Sequence, residues 1–69
     1  MEVMRFVVTF DRETDGRWNA EVVQMGVLVY GHGREDAYGR AKAAALFALS
    51  GLAESEGRPI EDSIQFEAA

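Results

Sequence analysis

The chain reads as a single α+β domain, an antiparallel sheet with one long helix packed on one face, in the order β-β-β-α-β. Three observations predict it. Val3 to Phe10 and Arg17 to Gln24 alternate apolar and polar residues with the period of two that a half-covered strand requires. Only the stretch from Gly33 to Gly57 has the composition and spacing of a long helix. A short alternating stretch, Ser63 to Glu67, follows Pro59, which cannot continue that helix.

In the first strand, Met4, Phe6, Val8 and Phe10 form an apolar face against a mixed face of Val3, Arg5, Val7 and Thr9. Asp11 to Gly16 is a polar turn ending in Asp15-Gly16, a strong hairpin signal. In the second strand Trp18, Ala20 and Val22 fall on the apolar side, with Arg17, Asn19 and Glu21 opposite. Met25-Gly26 makes a short connection to Val27–Tyr30, a continuous apolar run of the kind found in a central or well-covered strand. Gly31-His32-Gly33 then turns the chain sharply into the helix. In the last strand Ile64 and Phe66 alternate with Gln65, and their side chains are expected to join Phe6 and Trp18 beneath the helix. The sheet face bearing Arg5, Val7, Thr9, Asn19, Glu21 and Gln65 is left without cover.

Strong helix formers fill most of the helical stretch, Glu35 and Asp36 complement the dipole in its first turn, and Gly57 with Pro59 supplies the stop. At about 100° per residue, Ala37, Tyr38, Ala41, Ala44, Ala45, Ala48, Leu49 and Leu52 share one arc, which is assigned to the sheet. Most are alanines, so the axis can lie close to the strands and the bulk of the core must come from the sheet. A helix of about 20 residues spans roughly 30 Å, against about 23 Å for a seven-residue strand, so one end overhangs. Leu46 and Phe47 fall outside the arc, with Gly39, Ala43 and Ser50 between them in projection. Bulky apolar groups beside small residues, which admit another backbone closely, make these five a candidate self-association face.

At 69 residues there is room for one domain, spanning 1–69, with no separate DNA-binding domain. A chain this short buries only about 60% of its unfolded surface, and with no cysteine and no ligand cluster for a structural metal, a homodimer or higher oligomer is the expected support. The net charge of −5 argues against gripping nucleic acid directly and suits a basic protein partner. No apolar run approaches the roughly 18 residues of a membrane span, and no secretory signal is visible, so a cytoplasmic protein away from membranes is expected.

No constellation of catalytic residues stands out. Asp11, Glu13 and Asp15 cluster in one hairpin turn, where solvated carboxylates are the ordinary case; a metal nuclease draws its carboxylates from separate strands. His32 has no nucleophile or second ligand beside it in sequence, and the glycines around it lack the lysine of a P-loop. Trp18 is assigned to core packing rather than to stacking on bases. No enzyme activity, cofactor or metal is expected.

The hairpin RFVVTFDRETDGRWNAEVV and the passage GHGREDAYGRAKAAALFAL together resemble the N-terminal domain of HicB antitoxins, the inhibitor half of HicA/HicB toxin–antitoxin pairs. The match lies in Asp15-Gly16, Gly31, Asp36-Ala37, Ala41, Lys42 and Ala44, and the pattern extends over nearly the whole chain. The family's Pro and Pro-Gly-Cys segment is replaced here by Gln24 to Val27, and its Asp-Thr step before the helix by His32-Gly33. Glycine is a poorer helix cap than threonine. The resemblance implies a partial ribonuclease-H-like fold without catalytic carboxylates, which covers the active surface of a small basic mRNA-cleaving toxin. A stand-alone homo-oligomeric interaction or scaffold module is the alternative reading.

Overall fold

The computed structural model describes residues 3–56 and 64–69, the side chains of 52–56 excepted. Its elements run β1 (Met4–Arg12), β2 (Trp18–Val22), β3 (Val27–Gly31), α1 (Arg34–Glu56) and β4 (Ile64–Ala68), the α+β order expected from the periodicities. The helix stop at Gly57 and Pro59, the strand start at Ser63 and the inward aim of Leu52 lie outside the described residues.

The strands lie side by side in the order β3-β2-β1-β4. β1 pairs with β2 and β2 with β3 in antiparallel fashion, whereas β4 joins β1 in parallel. The sheet is therefore mixed, though mostly antiparallel. Two hairpins in succession leave β3 running in the direction of β1, and a single helix that returns along the sheet starts the next strand in that same direction. A strand–helix–strand crossover produces parallel strands for this reason.

Gly16 and Gly26 adopt φ of 92° and 67° in the two hairpin turns, backbone that side-chain-bearing residues rarely take. The second turn is wider than the Met25-Gly26 step anticipated. β2 ends at Val22, and Val23–Gly26 form a turn in which Gly26 N–H donates to the Val22 carbonyl at 3.0 Å. Gln24 takes over as a side-chain surrogate for the missing strand. Its Oε1 accepts from Val7 N–H at 3.0 Å, and its Nε2 donates to the Arg5 carbonyl at 3.3 Å.

The registers set two faces apart. Val8, Val22 and Val27 form one row beneath the helix, and Phe10, Ala20 and Val29 the next. The core joins Phe6, Val8, Ala20 and Val22 of the sheet to Ala37, Ala41, Ala45 and Leu49 of the helix, with Trp18, Ile64 and Phe66 half-buried around them. Val8 and Val22 are the largest fully buried side chains among the described residues. The helix contributes mainly alanine to the core, so the bulk comes from the sheet as expected. Phe6 meets Phe66 with ring centroids 5.9 Å apart, and Phe10 meets Tyr38 edge-on at 5.8 Å. Pairs of this kind contribute about 0.5–1.5 kcal/mol beyond their burial.

Two details of the covered surface differ from the periodicity. Met4 is 42% exposed, because the helix packs mainly over β2 and β3 and only marginally over β1. Ala48, assigned to the inner arc, is exposed. Gly31 lies against Ala37, and the four-residue step back to Val27 covers about 13 Å, the length of about nine helical residues. The helix has passed the start of β3 by Ala48, so no strand of that edge lies beneath it.

Candidate interaction surface

Val27–Tyr30, read as a central or well-covered strand, is instead the outer strand of the sheet. Among the described residues there is a single helix, and it covers one face of the sheet only. Val27 and Val29 turn toward the helix and are half-buried, while Leu28 and Tyr30 turn away and are 51% and 43% exposed. The open face therefore carries the rows Thr9–Glu21–Leu28 and Asp11–Asn19–Tyr30, followed toward β4 by Val7 with Glu67 and Arg5 with Gln65. It is the face predicted to lack cover, enlarged by two apolar side chains. The sequence signal for them was parity: Tyr30 sits opposite Asn19, and Leu28 opposite Glu21.

The charges on this face are partly ordered by pairs. Arg5 Nη1 lies 3.3 Å from Glu67 Oε1. Arg17 places its guanidinium 4.8 Å from the centre of the Tyr30 ring and donates from Nε to Asp15 Oδ2 at 2.8 Å. Asp15 also accepts the backbone N–H of Arg17 at 3.1 Å; that bond, followed by the charge of Arg17, holds its carboxyl below the usual range. Glu13 accepts from Asn19 Nδ2 at 2.8 Å, and Asp11 from the N–H of Arg12 at 2.9 Å. The three hairpin carboxylates thus serve local turn bonds. Among the described residues, no three His, Cys, Asp or Glu side chains are grouped so as to hold a metal ion.

His32 is exposed at the strand-to-helix junction. Its backbone N–H donates to Asp36 Oδ2 at 2.9 Å, and Arg40 Nε lies 3.2 Å from the same carboxylate one turn along the helix. The N–H of His32 and then Arg40 hold the Asp36 carboxyl below the usual carboxylate range. Asp36 thus supplies the side-chain support at the helix start that Gly33 cannot. Gly31 is required beside it, since a Cβ there would come within 2.6 Å of the Ala37 backbone nitrogen. Arg17, Tyr30, Gly31, His32 and Arg40 line a shallow cleft of about 160 Å³, and both arginines in it already pair with aspartates.

The five residues of the candidate self-association face are divided by the fold. Gly39, Ala43, Phe47 and Ser50 are exposed, Phe47 at 83%, while Leu46 is half-buried. Leu46 lies one turn beyond Lys42, whose Nζ sits 4.4 Å from the Tyr38 ring centre, and so belongs to the flank toward β1 and β4. Phe47 points the other way. Arg34, stacked 4.1 Å from the Phe10 ring centre, completes the β1 flank; nothing in its spacing had marked it.

No family model, curated protein or solved structure matches this chain. Among the described residues no helix is long and apolar enough to cross a membrane.

Proposed function

We propose that this chain is a non-enzymatic, cytoplasmic binding protein of the HicB-like antitoxin type, which inhibits a small basic mRNA-cleaving toxin by covering it. The observation that carries the reading is the open sheet face. Leu28 and Tyr30 offer apolar contact on the outer strand, and Glu21, Asp11 and Glu67 follow across the same face on β2, β1 and β4 of a chain whose net charge is −5. Such a surface steers a basic partner toward it by complementary charge, and association slows as salt screens the field. The resemblance in the hairpin and in the helix start supplies the toxin as the partner, and the partial ribonuclease-H-like fold as the scaffold.

The test is capture of a small basic protein on the tagged chain, followed by an RNA-cleavage assay of that protein with and without the chain. Inhibition that is lost in Glu21→Lys supports the reading. Capture of no basic ribonuclease, or inhibition equal in wild type and Glu21→Lys, contradicts it.

The second reading is a stand-alone homo-oligomeric interaction or scaffold module. It is favoured by the small core, whose largest fully buried side chains among the described residues are valines, and by the exposure of Phe47. Light scattering on Ala43→Glu and on Phe47→Asp tests the outer helix face: an oligomer mass unchanged in both removes that face as the interface.

A further inference from the structure

We propose that the outer edge of β3 seats a second copy of this chain, β3 pairing antiparallel with the partner's β3 to make one continuous sheet. The proposal does not depend on what the open face binds. An edge strand exposes a row of backbone donors and acceptors, and proteins that keep such an edge single guard it with lysine, proline, a bulge or inward charge. Val27–Gly31 carries none of these residues, and its ladder to β2 runs without a bulge from Val22–Val27 to Trp18–Gly31. The opposite edge strand, β4, carries the charged Glu67.

Three features make the edge self-complementary. With Val29 on the two-fold axis, Leu28 lies opposite the partner's Tyr30, joining the exposed apolar side chains of the two open faces. In the same row Glu21, which makes no ion pair among the described residues, pairs with Leu28, and Arg17 lies over the Tyr30 ring. Two strand spacings, about 10 Å, therefore separate Glu21 from the partner's Tyr30 and the guanidinium above it, a span that glutamate and arginine side chains bridge together. Arg17 keeps Asp15 on its Nε at 2.8 Å, so its Nη groups are the donors that meet the partner's Glu21, and the symmetry repeats the contact.

The third feature is the helix. α1 lies over β2 and β3 alike, so joining two β3 edges sets the two helix axes two strand spacings apart, about 10 Å. Helices that touch pack at about 8–10 Å. The flank facing that way is marked by Arg40, which lines the cleft with Tyr30, and continues at helical spacing through Ala44, Phe47, Ala48 and Gly51. Small side chains dominate it, and Phe47, 83% exposed in one chain, lies along it.

Light scattering on the purified full chain should give twice the 7.6 kDa of one chain. The variant Leu28→Lys with Tyr30→Lys should halve that mass with an unchanged circular dichroism spectrum, and Ala43→Glu on the outer helix face should leave it doubled. A wild-type mass other than twice one chain's overturns the proposal, as does a dimer that survives the double lysine variant or dissociates in Ala43→Glu. Should the lysine variant fail to fold, amide exchange of the wild type decides: protection of Val27–Gly31 that rises with protein concentration is expected, and protection independent of concentration overturns the pairing.

Discussion

The two faces of this sheet come from the same strands and meet opposite fates. On one, Phe6, Val8, Ala20 and Val22 are sealed by an alanine-rich helix face; on the other, no described residue forms a second layer above Thr9, Glu21, Leu28, Asp11, Asn19 and Tyr30. Stability is concentrated on the first face. The second carries Glu21, Asp11 and Glu67 across β2, β1 and β4, with the exposed apolar pair Leu28 and Tyr30 on its outer strand.

Substitutions on the two faces should separate accordingly. The largest effect is expected for Phe6→Ala, since removing a buried phenylalanine costs about 3–5 kcal/mol. A core of this size supplies little more than about 3–5 kcal/mol in all. The variant should be largely unfolded by circular dichroism, and a cooperative melt near that of the wild type would show that the core lies elsewhere. Gly31→Ala comes next. Its Cβ would press on the Ala37 backbone, which cannot rotate away as a side chain can, and overpacking of this sort costs about 1–3 kcal/mol. Chemical denaturation checks it, a midpoint equal to wild type being the contrary result.

Asp36 tests the junction through pH. Its folded pKa is lowered by the N–H of His32 and by Arg40. A depressed carboxylate stabilises the fold above its unfolded value of about 3.9, and that contribution is lost as pH falls through the folded value. The wild-type melting temperature should drop on acidification below about pH 4, and Asp36→Asn should remove part of that drop while starting lower at neutral pH. Parallel pH profiles for the two proteins would show that Asp36 does not support the helix start. The smallest effect is expected for Glu21→Gln on the open face, within about 0.5 kcal/mol by denaturant titration.

Alternation made the covered face legible, since Phe6, Val8, Ala20 and Val22 all stand where a period of two puts them. The element order was legible for the same reason. The outer position of β3 was harder to read because Val27, Leu28, Val29 and Tyr30 are all apolar, and such a run looks the same whether both faces are covered or one is open. A count of layers would have resolved it. The support of the helix start by Asp36 was hidden because it rests on a bond back to a backbone N–H rather than on the residue at the cap position. The strand-like role of Gln24 was hidden because a side chain there replaces backbone. Of the candidate self-association face, helical spacing put Phe47 on the exposed side, where it lies, but could not show that Leu46 turns to the other flank.

The most direct test of the claim that the open face is the recognition surface is a binding titration of the captured basic ribonuclease against wild type and against a Thr9→Lys, Glu21→Lys double variant. Both side chains lie on the open face, one of them exposed and the other half-buried. The account predicts that the variant keeps its fold and loses both salt-dependent binding and inhibition. Undiminished binding by a folded variant would contradict it and move recognition to the helix side of the molecule.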